Sequence, residues 1–397
     1  MKKKIIFIVI DGLGDKTIRV LGNKTPLEAA KTSNLDSLTK EGVSGLIKPF
    51  LFSSQEKPAS DTCHLALFGY DPNKYYLGRG PYEAMGIGIK LKKGDIALRA
   101  NFATVDKNFK VLDRRSGRIE NTQPLIKSLA KTRIKGVKII IKKSYGHRAV
   151  LVLRGKGLSS EISNGDPKEV GKKVKEISAK DNSKEAKLTA KVLNEFLERA
   201  HQILKGHPLN REREKRGLLP ANYLLVRGAG RLKRTPSFKE RYGLKACCIA
   251  GGGLYKGIGK ILGMDLILVK GATGFPTTNL KGKILAVKKS LKKYDFVFLH
   301  IKATDSLAED GNFLGKKRFI EKIDVNIKTL LNLNNTLIVV TGDHATCSQL
   351  KSHCSETIPL LIYGKGKNGV EKFSERACQK GKLGQIKQLA LMRVVLS

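Results

Sequence analysis

The sequence predicts an α/β fold, in which a doubly wound core sheet carries an inserted smaller α+β domain. Apolar, β-branched segments alternate with helix-like segments over most of the 397 residues, which is typical of a largely parallel sheet covered by helices. This alternation is interrupted once, between residues 106 and 210. The length also suits two domains, or one large domain with an insertion.

The core is predicted to comprise residues 1–105 and 211–397. Its first strand is "KKIIFIVIDG", a continuous β-branched run of the kind found in buried parallel strands. The segment "TPLEAAKTSNLDSLTKEG" then has helical spacing and ends at Gly42. Helix-like segments lie between most of the later strands. The later strand candidates are "NYLLVRGAG", "KACCIAGG", "MDLILVKGATG", "YDFVFLHIKATD", "TLIVVTGDH" and "IPLLIYG".

Residues 106–210 are expected to form the insertion. Short alternating runs such as "VKIIIKKS" and "RAVLVLRG" indicate short strands. The segment "KEAKLTAKVLNEFLERAHQIL" follows them as one long amphipathic helix. These features predict an α+β domain between two parts of a single core.

The composition restricts the possible partners. The chain has 76 Lys and Arg against 35 Asp and Glu, and this net charge of +41 attracts anions. The lysines are spread along the whole sequence without zinc-finger spacing, so a generally basic surface is preferred to specific nucleic-acid binding. No apolar run is long enough to span a membrane. The oligomeric state stays open.

The N-terminus and the cysteines indicate a cytoplasmic protein. The basic N-terminus precedes an apolar run of only six residues that ends in Asp-Gly, which is typical of a first strand rather than a signal peptide. The six cysteines contain no Cys-x-x-Cys pair, and they are expected to be reduced thiols that mostly pack in cores.

Acidic residues follow three of the strongest strand candidates. Asp11 follows the first strand, Asp305 follows "FVFLHIKAT", and Asp343 with His344 follows "LIVVTG". In open α/β sheets ligands bind at the carboxyl ends of the strands, so we expect these side chains to form a site. The alternative is that they are helix caps and solvated loop residues.

Two further residues enlarge this set of possible ligands. Glu309 comes four residues after Asp305, and His353 comes nine residues after His344. A mixture of Asp, Glu and His suits zinc, manganese or a related divalent ion. The set is too large for one ion, and such carboxylate-rich sets commonly hold two.

A candidate nucleophile lies in "EKPASDTCHLALFGYDP". Ser60 opens a short helix there, and a helix N-terminus favours a phosphorylated product. A serine hydroxyl becomes a good nucleophile when a metal lowers its pKa. Taken alone, the same "SDT" is only a helix-capping signal.

Together these segments resemble the archaeal-type cofactor-independent phosphoglycerate mutases of the alkaline phosphatase superfamily. The resemblance extends over the full length and in the same order. It is carried by "IDGLGD", "KTPLEAAKTSNLDSL", "SDTCHLALFGYDPNKYYLGRGPYEAMGIGI", "DRRSGR", "HRAVLVLRG", "LLPANYLLVRGAG", "CCIAGGGLYKGIGKILGM", "HIKATD" and "TGDHAT".

The resemblance implies an alkaline phosphatase-like core with an inserted domain, and Ser60 as the nucleophile. One ion is expected on Asp11, Ser60, Asp343 and His344. The other is expected on Asp305, Glu309 and His353. Two divalent ions are therefore implied as cofactors, with manganese preferred to magnesium, cobalt or zinc.

Position 309 departs from the family pattern. The family usually has His four residues after the Asp of "TD", whereas this chain has Glu309 in "AEDGN". A carboxylate still binds a divalent ion, but it favours manganese or magnesium over metals that prefer nitrogen ligands. The segment "HCSET" around His353 also departs from the family pattern.

The resemblance implies that the chain interconverts 3-phosphoglycerate and 2-phosphoglycerate through a phosphoserine, without 2,3-bisphosphoglycerate. The substrate carboxylate and hydroxyl call for guanidinium donors, and Lys302 is a candidate contact for the phosphate. In isolation each arginine is more simply a surface charge. The residues expected to bind substrate are Arg114, Arg115, Arg118, His147, Arg148, Arg227 and Lys302.

Three alternatives remain from the sequence. A metal-dependent phosphohydrolase uses the same residues but transfers the phosphoryl group to water. A relative that acts on phosphohomoserine is ranked lower, because "DTCHL" and "GRGPYEAMG" are retained. The third is a degenerate scaffold that binds nucleic acid through its basic surface.

Overall fold

The computed structural model describes residues 3–53 and 55–397. The chain forms two compact units. The core unit comprises Met1–Tyr76 and Thr235–Ser397, and the insertion unit comprises Leu77–Arg234. Among the described residues, no helix is both long and apolar enough to cross a membrane.

The elements of secondary structure are numbered in chain order. The strands are β1 Lys4–Ile10, β2 Gly42–Lys48, β3 Ile96–Val105, β4 Val111–Asp113, β5 Lys138–Lys143, β6 Arg148–Arg154, β7 Tyr223–Gly230, β8 Ala246–Ile249, β9 Asp265–Leu266, β10 Phe296–Ile301, β11 Thr336–Thr341, β12 Ala345–Cys347, β13 Ser352–Cys354, β14 Ile358–Tyr363 and β15 Gln385–Lys387. The α-helices are α1 Ser33–Lys40, α2 Ser60–Leu67, α3 Pro72–Tyr75, α4 Arg79–Gly86, α5 Gln123–Leu129, α6 Lys184–Lys205, α7 Pro208–Lys215, α8 Phe238–Tyr242, α9 Gly253–Ile261, α10 Leu280–Ser290, α11 Ala303–Glu309, α12 Phe313–Ile327, α13 Glu375–Cys378 and α14 Leu391–Leu396. Short 3-10 helices span Arg19–Leu21, Lys328–Leu330 and Gln388–Ala390.

The core unit is built around a mixed sheet with the strand order β15–β2–β14–β11–β1–β10–β8–β9. The five strands from β11 to β9 are parallel to one another, which confirms the predicted α/β class. The central strand β1 pairs with β10 on one side and with β11 on the other. Its side chains from Ile5 to Ile10 are all buried, as its unbroken apolar run indicated. The carboxyl ends of β10, β1 and β11 therefore meet at one edge of the sheet.

The insertion unit contains a second sheet, in the order β4–β3–β6–β5, with β7 also paired to β3. Helix α6 packs its apolar face into the core of this unit, where Leu193 and Phe196 are fully buried. The unit extends beyond the predicted boundaries 106–210 on both sides, because β3 precedes them, β7 follows them, and the two strands pair. The prediction of "NYLLVRGAG" as a core strand is wrong, since this segment forms β7.

Two other local predictions are wrong in extent. The helix predicted over "TPLEAAKTSNLDSLTKEG" forms only as α1, which begins where the Asp324 carboxylate accepts the N–H groups of Asn34 and Leu35. The strand predicted over "MDLILVKGATG" is reduced to β9, at the edge of the sheet. It pairs there with β8 alone, and the chain turns away at Gly271, whose φ is 75°.

The prediction of six reduced cysteines is wrong for one pair. Cys347 and Cys354 form a disulfide, with Cα atoms 5.9 Å apart. The other four cysteines are free and buried, as expected. The sequence spacing gave no signal for the pairing, because it depends on a hairpin between β12 and β13.

A buried ion pair ties the loop after β1 to β12. Lys316 on α12 is completely buried, and its Nζ lies 3.0 Å from Asp15 Oδ2. The same ammonium donates to the carbonyl oxygens of Gly14 and Thr346, each at 3.0 Å. Asp15 also accepts hydrogen bonds from the backbone N–H and the hydroxyl of Ser348. Loss of either charged partner would leave the other charge buried without compensation.

We therefore expect Lys316→Met to lower the free energy of unfolding by about 3 to 5 kcal/mol. Lys317→Met is the matched control, because Lys317 lies next along the same helix but forms a partly exposed pair with Glu321. The control should cost no more than about 1 kcal/mol. Urea unfolding followed by circular dichroism measures both changes, and equal losses would contradict this account of the buried pair.

Candidate metal centre

Three carboxylates from adjacent strand ends form the centre of the candidate site. Asp11 follows β1, Asp305 lies in the first turn of α11 after β10, and Asp343 follows β11. None of the three side chains exposes any surface. Because β1 lies between β10 and β11, the sheet itself brings these carboxylates together.

Asp11, Asp343 and His344 form one group of possible ligands, whose ligand atoms lie within 4.8 Å of one another. The Nε2 atom of His344 lies 3.2 Å from Asp343 Oδ2 and 3.8 Å from Asp11 Oδ1. Ser60 is the first residue of α2, and its Oγ lies 3.1 Å from the same Nε2. The structure thus brings together the four residues that the resemblance assigns to one ion.

Asp305, His344 and His353 form a second group. His353 lies on β13, with its Nε2 3.4 Å from Asp305 Oδ1 and 4.0 Å from Glu309 Oε1. The rings of His344 and His353 stack with their centroids 3.8 Å apart. His344 therefore belongs to both groups, whereas the sequence assigned it to one. Glu309 lies at the margin of the second group, with 40% of its side chain exposed.

Lys302 lies between carboxylates of the two groups. Its Nζ is 3.1 Å from Asp11 Oδ1 and in direct contact with Asp305 Oδ2. Burial lowers the pKa of Lys302, but the two carboxylates outweigh burial and hold this pKa well above its usual value. In the same way, burial raises the pKa of Asp11 and of Asp305, but the charge of Lys302 brings both pKa values below their usual range. The sequence had suggested only a phosphate contact for this lysine.

The residues present fit a divalent cation. Burial raises the pKa of Asp343 well above its usual value, and the charge of Asp11 raises it further. Oδ1 of Asp343 accepts the N–H of Gly12, while its Oδ2 has no hydrogen-bond partner among the described residues. Burial and then repulsion from His353 lower the pKa of His344, so its ring is neutral and able to bind a metal. A buried carboxylate oxygen without a donor, beside a neutral imidazole, is suited to a divalent ion.

Two residues that the sequence analysis missed orient the carboxylates. His300 Nε2 lies 2.9 Å from Asp11 Oδ2, and its ring stacks on Tyr255 with the centroids 3.4 Å apart. Thr346 donates its hydroxyl hydrogen to Asp305 Oδ1 at 2.6 Å. The sequence does contain a signal for His300, because it is a polar residue inside the apolar run of β10. Thr346 had no signal, because its role depends on how β12 is placed.

Other predicted residues lie in the insertion unit, around the buried carboxylate of Asp166. Arg114 donates to Asp166 from Nη2 at 2.7 Å and from Nε at 3.3 Å, as a two-pronged fork. The Nε atom of Arg227 lies 3.6 Å from Asp166 Oδ2. Burial lowers the pKa of Arg227 to about 10, although its guanidinium still carries its charge at neutral pH.

His147 and Arg148 lie beside these arginines. Burial lowers the pKa of His147 to about 3, and the charge of Arg148 is the next largest cause. The charges of Arg115 and Arg118 contribute in the same direction. Arg148 begins β6 and pairs with Asn101 of β3. The predicted insertion residues therefore share one strongly positive region, while Lys302 lies in the core unit.

Two arginines of this region were missed by the sequence analysis. Arg79 and Arg99 both lie beside the buried carboxylate of Glu83, with closest distances to Glu83 Oε1 of 3.2 Å and 3.8 Å. Burial raises the pKa of Glu83, but the two arginines outweigh burial and lower it. Arg99 pairs with Arg227 across β3 and β7, so strand register brings these guanidinium groups together. Their positions could not be derived without that pairing.

Comparison with known proteins gives consistent matches. A family model described as "2,3-bisphosphoglycerate-independent phosphoglycerate mutase" matches residues 39–210. A 2,3-bisphosphoglycerate-independent phosphoglycerate mutase 1 from Methanocaldococcus jannaschii is 47% identical over 404 residues, covering 100% of this chain and 97% of the relative. One with the same description from Archaeoglobus fulgidus is also 47% identical, covering 99% of this chain and 97% of the relative.

Two solved structures are similar over the whole chain. A protein from Pyrococcus horikoshii matches with a TM-score of 0.84 and 33% identity, covering 100% of this chain and 97% of its own. A cofactor-independent phosphoglycerate mutase from Thermoplasma acidophilum matches with a TM-score of 0.69 and 35% identity, covering 99% of both chains. These matches, together with the curated relatives, show that the chain belongs to the 2,3-bisphosphoglycerate-independent phosphoglycerate mutases, a family of isomerases.

Proposed function

We propose that this chain interconverts 3-phosphoglycerate and 2-phosphoglycerate through a phosphoserine on Ser60, at a site for two divalent ions. The observation that carries the proposal is the position of the Ser60 hydroxyl. Its Oγ lies 3.1 Å from Nε2 of His344, and His344 belongs to both groups of possible ligands. A nucleophile in this position lies beside the one histidine that the two groups share. The mutase relatives support the choice of substrate.

The candidate ligands divide into two sets with His344 adjacent to both. The first set is Asp11, Ser60, Asp343 and His344, and the second is Asp305, Glu309 and His353. When bound, two divalent ions at such a site neutralise phosphoryl oxygens and favour the ionised form of a serine hydroxyl. No 2,3-bisphosphoglycerate is required.

The phosphoryl group is transferred twice, first from the substrate to Ser60 and then from Ser60 back to glycerate. Its Oγ attacks the phosphorus in line, and the bond between phosphorus and the glycerate oxygen breaks. Glycerate stays bound and turns, and its other hydroxyl then attacks the phosphoserine and regenerates Ser60. Since Ser60 opens α2, the backbone N–H groups of the first turn of this helix favour the negative charge of the phosphoserine.

The arginines of the insertion unit are the candidates for binding the carboxylate and hydroxyl of glycerate. A guanidinium binds a carboxylate through two parallel hydrogen bonds, which fixes the orientation of the ligand. Asp166 holds Arg114 and faces Arg227, so these groups are positioned before substrate binds. Arg148 and the neutral His147 would add to this substrate-binding group, with Arg115 and Arg118 contributing positive charge. In the core unit, Lys302 would contact the phosphate.

Replacement of the nucleophile tests this function directly. We expect Ser60→Ala to lower turnover of 3-phosphoglycerate by about 10⁴-fold or more, because the variant lacks the hydroxyl that accepts the phosphoryl group in this route. Its thermal unfolding and its manganese binding at the Asp305 group should stay close to those of the parent. Ser355→Ala is the control, since this hydroxyl is exposed and its bond to the Glu56 carbonyl oxygen is long, at 3.4 Å. A Ser60→Ala protein with full turnover would exclude the phosphoserine route.

The carboxylate at position 309 sets the preference for the ion. We expect Glu309→His to shift the relative affinity from manganese and magnesium towards zinc and cobalt by roughly tenfold, because a nitrogen ligand replaces a carboxylate. Isothermal titration of ion-free protein with each metal measures this shift.

The control for this change is Glu371→His, which adds a histidine at an exposed position of the core unit. This variant should bind each metal as the parent does. If both variants gain zinc affinity equally, or if Glu309→His leaves the order of metals unchanged, then Glu309 is not a ligand.

A further inference from the structure

We infer that the Cys347–Cys354 disulfide is a redox-sensitive positioning element that holds His353 in the second ligand group. This inference rests on the proposed function, because it assumes that Asp305, Glu309 and His353 bind an ion. It concerns a bond for which the cysteine spacing is not a signal. Its consequence is that the affinity of one ion depends on the oxidation state of two cysteines.

The hairpin that carries His353 is very short. β12 and β13 pair over only three positions, in which Ala345 faces Cys354, Thr346 faces His353, and Cys347 faces Ser352. Short two-stranded hairpins are marginally stable on their own. The position of His353 must therefore depend on additional bonds.

The two strands of the hairpin are anchored unequally. β12 is held by Lys316, which donates to the Thr346 carbonyl oxygen, and by the N–H of Thr346, which donates to Gly14. Directly after β12, the backbone and the hydroxyl of Ser348 both donate to Asp15. All of these partners lie in the buried interior.

The anchors of β13 outside the hairpin are more exposed to solvent than those of β12. Nδ1 of His353 lies 2.8 Å from the Pro58 carbonyl oxygen, and Ser352 accepts a hydrogen bond from the exposed Lys57 at 3.1 Å. The 3.4 Å bond from Ser355 to Glu56 is also exposed. β13 therefore relies on β12 for its position, and the disulfide is the covalent link between the two strands.

The disulfide and His353 lie on opposite faces of the hairpin. Side chains alternate along a strand, so Thr346 and His353 share one face of the hairpin, and Ala345, Cys347 and Cys354 share the other. The first face is directed to the site, because Thr346 donates to Asp305. The second face forms a small buried apolar cluster. The disulfide thus fixes the hairpin from the face opposite the site, and it does not occupy a ligand position.

Reduction removes this link in a defined step. A phosphine reductant supplies two electrons, the S–S bond breaks, and each sulfur takes up a proton to become a thiol. The phosphine takes an oxygen from water and becomes a phosphine oxide. β13 then lacks its covalent link to β12 across the hairpin, so His353 samples positions away from Asp305 and Glu309 more often.

Manganese titration of ion-free protein, with free manganese followed by electron paramagnetic resonance, tests the inference. The oxidised protein should bind two ions. After phosphine treatment and removal of the reagent, we expect one ion to bind about tenfold more weakly, as when a residue that orients a ligand is lost, and the other to bind unchanged. Titration of thiols in denaturant should give four before treatment, for the four free cysteines, and six after it.

Variants separate the disulfide from other effects of reduction. Cys347→Ala with Cys354→Ala should show the weakened ion without treatment, and phosphine should change nothing further. Cys378→Ala removes a buried free thiol of the same unit and should bind both ions as the parent does. Phosphine treatment of the parent protein tests the same bond if the double variant fails to fold.

The possible failures are distinguishable. Two ions of unchanged affinity after full reduction would overturn the inference and leave the proposed function intact. Six thiols before treatment would overturn it as well, because the bond would then be absent. A single ion in the oxidised protein would contradict the two-ion site itself, and the role of the disulfide would fall with it.

Discussion

The burial of three carboxylates at one edge of the core sheet is the constraint on which the rest of the site depends. Asp11, Asp305 and Asp343 have no exposed surface, and they lie at the ends of adjacent parallel strands. Like charges buried this closely cannot all remain ionised without a compensating cation. Lys302 supplies one positive charge, and burial with the charge of Asp11 raises the pKa of Asp343. An arrangement this costly for folding alone is typical of a functional site.

Much of the surrounding structure serves to hold these groups. His300 and Thr346 each orient one carboxylate. Lys316 holds the loop after β1 close to strand β12 through hydrogen bonds. The Cys347–Cys354 disulfide links β12 to β13, the strand that carries His353. The insertion unit has the opposite distribution of charge. There, two buried carboxylates position a larger number of arginines. Both units thus use buried countercharges to fix groups that would otherwise repel one another.

The sequence predicted the part of this arrangement that follows from strand patterning. Unbroken apolar runs identified β1, β10 and β11, and the rule that ligands bind at carboxyl strand ends identified the acidic residues after them. What it missed depends on pairing between distant segments. Arg99 meets Arg227 only through the register of β3 and β7, and this pairing also shifts the boundaries of the insertion unit. The disulfide, and the place of His344 in the second ligand group, likewise depend on the position of the hairpin after β11.

The most direct test of the account is an assay without 2,3-bisphosphoglycerate. Chelator-treated protein would receive 3-phosphoglycerate with manganese, magnesium, cobalt or zinc, and both 2-phosphoglycerate and inorganic phosphate would be measured. We expect metal-dependent formation of 2-phosphoglycerate without release of phosphate, since glycerate stays bound while Ser60 carries the phosphoryl group. Release of phosphate at the rate of substrate loss would contradict it and indicate a phosphohydrolase, and no turnover with any metal would contradict the assigned substrate.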